Sequence, residues 1–203
     1  VYSLGDIVHN RIEVQRLERL GLRTVTHADM PHLAGCRLFI RAHGEPPTTY
    51  AAARAMDIGI IDATCPHVAR IHTLARQAQE EGRRVIIIGA PDHHEVRAIA
   101  GWCQDPLIFE DGQALRDYFQ RHPEEGGTPL TMVSQTTCTQ TTWNFCVENA
   151  KKLCTNLKIF DTICNATYAR QSEAQHLAAQ SDAVVVIGGR NSANTKRLFE
   201  LCR

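Results

Sequence analysis

Two stretches of the sequence decide the fold, because they repeat one design: "IIDATCPHV" at residues 60–68 and "IFDTICNAT" at residues 159–167. Each contains an apolar run typical of a β-strand, an aspartate, two further residues, a cysteine and the start of a helical pattern. Cys65 and Cys164 therefore occupy equivalent strand-to-helix turns. Turns of this kind are typical of α/β proteins.

Strand and helix patterns alternate along the rest of the chain. Period-two and short apolar runs predict strands at 1–4, 23–26, 36–41, 58–63, 84–88, 106–109, 129–134, 157–163 and 183–187. Period-3.6 patterns predict helices at 11–20, 47–56, from Cys65 to Gly82, and at 94–101, 112–120, 140–154, 166–180 and 193–202. The alternation predicts an α/β fold with parallel sheets.

The repeated turn also predicts the domain organisation. If each Asp-x-x-Cys turn ends a unit of about 100 residues, then 1–65 is a first α/β lobe, 66–164 a second and 165–203 the start of a third. The chain begins in a strand pattern and ends in a helical one. We therefore expect the first lobe to be truncated at its N-terminus and the third lobe to be incomplete.

Composition narrows the function classes. Lys plus Arg equals Asp plus Glu at 22 each over 203 residues, so no net charge attracts nucleic acid. The longest apolar runs are far shorter than the roughly 20 residues that cross a membrane. The hydrophobic content makes disulfides unnecessary, so the eight cysteines indicate a reducing, cytoplasmic setting.

Polar side chains follow most of the predicted strands. They include His9, Asn10, His43, Glu45, Cys65, His93, His94, Glu95, Gln135, Thr136, Thr137, Cys164 and residues 191–195. In parallel α/β sheets, ligands bind at the carboxyl ends of the strands, where helix N-termini offer unpaired N–H groups. We expect these side chains to face a ligand.

The two repeated cysteines are candidate metal ligands. Cys65 precedes Pro66, a favoured first helical residue, so its thiol would lie at the positive end of a helix dipole, which favours the thiolate. A small residue that closes a turn is the alternative, and the repetition at Cys164 favours the metal. The other six cysteines lack zinc-site spacing, and we expect structural or surface thiols there.

Three histidines after strands, His9, His43 and His93, indicate an anion site together with Ser192 and Asn194 of "GGRNSANT". Small polar side chains at a helix start suit a phosphate, although ordinary helix caps remain an alternative for the last two. Each histidine taken singly could equally be a satisfied core or surface residue.

Glu95 and Thr136 are candidates for proton transfer. Glu95 would act as a proton donor if burial adjusts its pKa, and Thr136 would relay that proton or hold a substrate hydroxyl. The alternatives are a carboxylate that favours a helix N-terminus and a threonine that caps the helix starting near Thr141.

These motifs together resemble a known family, the LytB-type 4-hydroxy-3-methylbut-2-enyl diphosphate reductases, which end the non-mevalonate isoprenoid pathway. The family's order and spacing are matched by "IVHN", "IRAHGE", "DATCPHV", "HHEV", "SQTT", "TICNAT..RQ" and "GGRNSANTKRL", over nearly all 203 residues. The resemblance implies a trefoil of three α/β lobes around a 4Fe-4S cluster held by three cysteines.

The resemblance also implies roles for individual residues. Cys65 and Cys164 would be two of the cluster ligands, and Glu95 would be the proton source with Thr136 beside the substrate hydroxyl. The substrate diphosphate would be bound by His9, His43, His93, Ser192 and Asn194. Two electrons from a ferredoxin or flavodoxin and two protons would remove the hydroxyl as water, yielding isopentenyl and dimethylallyl diphosphates.

The sequence departs from the family pattern in four places. The first cluster cysteine and a late serine have no counterpart, so we expect the third cluster ligand to lie outside this sequence. Ala193 stands where some members have a second serine, and His94 stands where a proline is usual. We expect residues 1–203 to be inactive alone and to form a homodimer. The alternative function is a non-catalytic α/β protein that binds a phosphorylated ligand, or an iron-sulfur carrier or sensor.

Overall fold

The computed structural model describes residues 1–203 as eight strands, eight α-helices and two short 3₁₀ segments. The strands are β1 (Tyr2–Leu4), β2 (Arg23–Val25), β3 (Arg37–Ile40), β4 (Gly59–Asp62), β5 (Arg84–Ile88), β6 (Leu107–Phe109), β7 (Leu130–Ser134) and β8 (Leu157–Ile159). The helices are α1 (Arg11–Arg19), α2 (Pro47–Ala55), α3 (Pro66–Glu80), α4 (His94–Ala100), α5 (Gly112–Arg121), α6 (Gln140–Leu153), α7 (Asn165–Gln180) and α8 (Ala193–Leu201). The 3₁₀ segments are His27–His32 and Pro123–Gly127. No helix combines the length and the apolar character needed to span a membrane.

The strands form two parallel four-stranded sheets of the same topology, in the orders β2-β1-β3-β4 and β6-β5-β7-β8. The register is also the same: Leu38 pairs with Ile60 in the first sheet as Met132 pairs with Ile159 in the second. The α/β fold class with parallel-sheet lobes is thus confirmed. We call the units built on these sheets the first and the second lobe.

The second lobe has three layers, with helices on both faces of its sheet. Along β5, Val85 and Ile87 point toward α3 and α4, while Ile86 and Ile88 point toward α5 and α6. This alternation follows from the two-residue period of a strand. All four side chains are fully buried, because each face of the strand is covered by helices.

The first lobe has a smaller core. Its buried apolar cluster is made of Leu4, Met30, Leu33, Leu38, Ile40, Ala53 and Ile58. Helix α3 follows β4 directly, yet its Ile71 and Ala75 pack against the second sheet. The predicted boundary between residues 65 and 66 stays a prediction, and this packing is compatible with it.

Residues 165–203 form α7 and α8 but no sheet, so the predicted strand at 183–187 is wrong. A strand is stabilised by hydrogen bonds to a neighbouring strand, and neither sheet of the chain extends to this segment. Val185 and Ile187 are consequently exposed. The apolar run "VVVIG" has the composition of a strand, but composition alone does not supply a neighbouring strand to pair with.

Candidate functional site

The carboxyl ends of both sheets open onto a shared cavity of about 240 Å³, which we call the strand-end cavity. The nine residues to which the sequence assigned a catalytic, substrate-binding or metal-binding role line it: His9, His43, Cys65, His93, Glu95, Thr136, Cys164, Ser192 and Asn194. Six other residues that were expected to face a ligand lie outside it: Asn10, Glu45, His94, Gln135, Asn191 and Thr195. Thr137, which was also expected to face a ligand, lines the cavity, and so does Thr167, which the sequence did not indicate. The structure thus brings the proposed residues together from both lobes and from the start of α8.

Cys65 and Cys164 are held in the same way in the two lobes. The Cys65 N–H donates to the carbonyl of Ala42 after β3, and the Cys164 N–H donates to the carbonyl of Thr136 after β7, each at 3.0 Å. Both residues are the N-caps of their helices, and neither side chain makes a capping hydrogen bond. Both thiols are free and partly exposed, so they remain available to a ligand in the cavity.

The three predicted histidines form a contiguous group. The ring centroid of His43 lies 5.4 Å from that of His9 and 5.5 Å from that of His93. Burial, reinforced by the nearby Arg41 charge, lowers the pKa of His43 to about 3, and burial lowers the pKa of His93 to about 4. These rings are therefore neutral at physiological pH.

Hydrogen bonding fixes how two of these rings can meet a ligand. The Glu95 backbone N–H donates to His93 Nδ1 at 3.2 Å, so the proton of the neutral ring resides on Nε2. His43 Nδ1 is buried and has no partner within the chain. An unpaired buried ring nitrogen costs free energy unless a ligand or water satisfies it, so His43 is suited to a polar ligand.

A buried cation near the histidines, Arg41, was not assigned a role from the sequence. It is 6% exposed, its guanidinium is pressed against Gly5, and its Nη2 lies 3.9 Å from Glu45 Oε1. Its charge contributes to the lowered pKa values of His9 and His43. The sequence signal that could have found it was its position directly after β3, two residues before His43.

Glu95 and Thr136 form a buried pair across the two strand ends β5 and β7. The Thr136 N–H donates to Glu95 Oε1 at 2.6 Å, and the Thr136 hydroxyl donates to Oε2 at 2.8 Å. Glu95 is only 2% exposed, and this burial raises its pKa although both hydrogen bonds oppose the shift. The environment favours a protonated carboxyl, which is the form that can donate a proton.

The start of α8 completes the wall of the cavity. Ser192 caps the helix by accepting the Thr195 N–H at 3.3 Å, which leaves its own hydroxyl proton free to donate. Asn194 Oδ1 is buried without a partner, and rotation of the amide by 180° would present its NH₂ group instead. A helix N-terminus with such side chains suits an anionic ligand.

Two thiols are the soft candidate ligands in the cavity, Cys65 and Cys164. Across the chain, the one compact group of three potential ligand side chains is His122, Glu124 and Glu125, which lies outside the cavity. Glu125 there already contacts Arg84 and Tyr118. Cys65 and Cys164 thus supply two soft ligands to the cavity, which fits part of an iron-sulfur site.

Comparison with known families identifies relatives along the whole chain. The family model described as "LytB protein" matches residues 1–203. The 4-hydroxy-3-methylbut-2-enyl diphosphate reductase of Chloroherpeton thalassium is 34% identical, and the match covers all of this chain and 70% of the relative. The reductase of the same name from Clostridioides difficile is 33% identical, with 100% and 71% coverage.

Solved structures agree with these sequence matches. The structure of an (E)-4-hydroxy-3-methyl-but-2-enyl diphosphate reductase, the terminal enzyme of the non-mevalonate pathway, superposes with a TM-score of 0.74 at 34% identity, covering all of this chain and 70% of the other. The E-1-hydroxy-2-methyl-but-2-enyl-4-diphosphate reductase of Plasmodium falciparum gives a TM-score of 0.88 at 26% identity. That match covers all of this chain and 63% of the other.

Proposed function

This chain belongs to the LytB protein family, and we propose that its strand-end cavity reduces 4-hydroxy-3-methylbut-2-enyl diphosphate to isopentenyl and dimethylallyl diphosphates. Two electrons and two protons are consumed, and the substrate hydroxyl leaves as water. The observation that carries the proposal is that one cavity collects a histidine group, a buried carboxyl and two free thiols. Relatives named for this activity support it.

The diphosphate would be bound by His9, His43 and His93 together with Ser192 and Asn194. Neutral imidazoles and hydroxyl groups donate hydrogen bonds to phosphate oxygens without placing a mobile cation in the cavity. Arg41, buried behind the histidines, contributes a permanent positive charge to the same region. The N-terminus of α8 adds unpaired backbone N–H groups and the positive end of its dipole.

Glu95 would donate a proton at the substrate hydroxyl, with Thr136 beside it. Burial raises the pKa of the Glu95 carboxyl, which favours its protonated form, and two hydrogen bonds from Thr136 hold its oxygens in one orientation. Positioned proton donors contribute about 10²–10⁴-fold to rate. The low exposure of Glu95 also excludes water from the point of proton transfer.

Cys65 and Cys164 would hold an iron-sulfur cluster, which when bound supplies electrons and a Lewis-acidic iron for the hydroxyl. These two residues would be two of the three cysteine ligands that the cluster requires. We also propose that a ferredoxin or flavodoxin donates the electrons, that the protein forms a homodimer and that it is located in the cytoplasm.

With two thiolates, residues 1–203 alone should hold a cluster too weakly for turnover. Anaerobic incubation of the chain with iron and sulfide, followed by desalting, tests this expectation. We expect little retained iron and no reduction of substrate by a reduced dye. A stable cluster spectrum together with turnover would contradict it.

Replacement of Glu95 by glutamine tests whether Glu95 is the proton donor. If residues 1–203 alone show no turnover, the variant is made in a longer form of the protein that is active. Glu95→Gln keeps the size, and its amide oxygen can still accept the Thr136 N–H while its NH₂ group can donate to the Thr136 hydroxyl oxygen. It removes the acidic proton, so turnover should fall by about 10²–10⁴-fold. Inorganic pyrophosphate should still bind in calorimetry. Glu80→Gln, at an exposed position of α3, is the matched control and should behave as wild type.

The outcomes separate the candidate functions. Unchanged turnover in Glu95→Gln would remove Glu95 as the proton donor. Pyrophosphate binding without turnover in any cluster-loaded form would instead favour a non-catalytic protein that binds phosphorylated ligands.

A further inference from the structure

Two aromatic side chains outside the strand-end cavity lie directly behind the loop that carries His43. His72 is on α3 and Trp102 follows α4, so both belong to elements packed on the second sheet. Their rings stack with centroids 5.2 Å apart and planes 20° from parallel. His72 is 5% exposed and Trp102 is partly buried, and both line a separate cavity between α2 and α3.

His72 contacts the residue that follows His43. A Cβ atom added to Gly44 would overlap His72 Cε1 and would lie 3.1 Å from the Thr64 methyl carbon. Gly44 also has a φ of +71°, which favours glycine. The His72 ring therefore fills the space that a side chain at residue 44 would occupy, and it supports the turn from behind.

Trp102 and its neighbour hold the next two residues of the same loop. The Trp102 indole N–H donates to the Glu45 carbonyl at 3.1 Å. Gly101 packs so closely on Pro46 that a Cβ atom there would overlap the proline ring. Residues 44, 45 and 46 of the first lobe are thus each contacted by elements of the second lobe.

Helix α4 connects this contact to the cavity. It starts at His94, with His93 and Glu95 in the cavity wall, and it ends at Ala100, followed by Gly101 and Trp102. The helix that carries the proposed proton donor therefore also holds, through its C-terminal end, the loop of His43.

We propose that His72 and Trp102 are positioning residues, which form an interlobe clamp that fixes His43 relative to Glu95. The inference deepens the proposed function and rests on it, because it assumes that His43 binds the diphosphate. Neither residue lines the strand-end cavity, so both act through the loop and not on the substrate.

The His72 ring supports Gly44 by packing and not by a hydrogen bond, and the test variants are chosen accordingly. His72 Nε2 has no partner, and burial lowers the pKa of His72 to about 4, so the ring is neutral at physiological pH. Phenylalanine should reproduce its packing, whereas alanine should leave a void under Gly44. Trp102→Phe keeps a stacking ring but removes the hydrogen bond to Glu45.

Calorimetric titration of the full chain with inorganic pyrophosphate tests the clamp. We expect His72→Ala to weaken binding about tenfold, as for a ligand group displaced by a fraction of an ångström, and His72→Phe to restore it. Trp102→Phe should give a smaller loss. His122→Ala is the matched control, because His122 also packs on an aromatic ring, Tyr118, away from the cavity.

Nuclear magnetic resonance of the two indole N–H groups in the wild-type chain gives a readout that needs no variant to fold. Pyrophosphate should shift the Trp102 indole signal and leave that of Trp143, which is buried in the second-lobe core, unchanged. If wild type binds pyrophosphate but the Trp102 signal stays unchanged and His72→Ala binds equally well, the clamp is refuted. If wild type does not bind pyrophosphate, the proposed anion site fails, and the inference fails with it.

Discussion

The two lobes share a backbone plan but differ in the chemistry that they bring to the cavity. Strand order and register are the same in both lobes. A backbone carbonyl after β3 accepts the Cys65 N–H in the first lobe, and a backbone carbonyl after β7 accepts the Cys164 N–H in the second. The residue that provides this carbonyl is Ala42 in the first lobe and Thr136 in the second. Only the second has a hydroxyl there, and it holds the buried Glu95. The repeat thus positions two equivalent thiols, while the proposed acid belongs to one lobe.

The lobes also differ in their cores. The second lobe has apolar clusters of 13 and 8 buried residues on its two sheet faces, and the first lobe has one cluster of 7. The loop at residues 44–46 of the first lobe is supported by His72 and Trp102 instead. We infer that the better-packed lobe sets the geometry of the other lobe's ligand-facing loop.

The largest expected effect tests the equivalence of the lobes. Cys65→Ser and Cys164→Ser should each abolish iron binding after anaerobic incubation with iron and sulfide, because each removes one of two soft ligands from the cavity. Iron retained after desalting is the measurement, made in a form of the protein that retains a cluster. Cys36→Ser, a first-lobe cysteine outside the cavity, is the control.

Equal losses from the two cysteines would support a shared cluster. Retention of iron by either serine variant at the level of Cys36→Ser would break the equivalence and remove that cysteine from the ligand set.

Two glycines with the same backbone conformation test whether His72 supports the loop at residues 44–46. Gly44 and Gly35 have the same φ of +71°, but a side-chain carbon added at Gly44 would overlap the His72 ring and approach Thr64, whereas Gly35 faces open space. Gly35→Ala should cost about 1–2 kcal/mol of unfolding free energy from backbone strain alone. Gly44→Ala should cost about 1–3 kcal/mol more, because overpacking against His72 adds to the strain. Chemical denaturation of both variants measures the difference, and equal costs would contradict the contact.

The smallest expected effect concerns the hydroxyl that only the second lobe has. Thr136→Ala removes one hydrogen bond to the Glu95 carboxylate and should lower turnover about tenfold, equivalent to on the order of 1 kcal/mol. Because that bond favours the charged carboxylate, its loss should raise the Glu95 pKa further and move the alkaline limit of activity to higher pH. Thr136→Ser keeps a hydroxyl and should restore the wild-type profile. A pH profile that is identical in Thr136→Ala would show that the hydroxyl does not act on Glu95.

Most of the fold could be predicted from the sequence, because its elements are short, local and clearly patterned. The repeated cysteine turns predicted the equivalence of β4 and β8, and the apolar run at residues 84–88 predicted the strand β5. The predicted strand at 183–187 failed because strand formation depends on a partner, which lies elsewhere in the sequence. Local pattern cannot supply that information.

The site was predictable to the extent that its residues follow strands. His9, His43 and His93 were found by that rule, since parallel strands end at one edge of a sheet. His72 and Trp102 were not, because they lie within and after helices and act through contacts 28 and 57 residues away from Gly44 and Glu45, respectively. Contacts between lobes leave no periodic signal in the sequence.

The central claim, that the second lobe supplies a protonated acid, can be tested directly by titrating the Glu95 carboxyl carbon with nuclear magnetic resonance. Glu95→Gln identifies the signal by its loss. Burial should place the midpoint above the ordinary glutamate pKa. Since the folded state then binds this proton more tightly than the unfolded state, its contribution to stability is full at acid pH and is lost as pH rises through the folded pKa. A midpoint above the ordinary value, with this loss removed in Glu95→Gln, is the predicted result; a midpoint at or below the ordinary value would contradict the account.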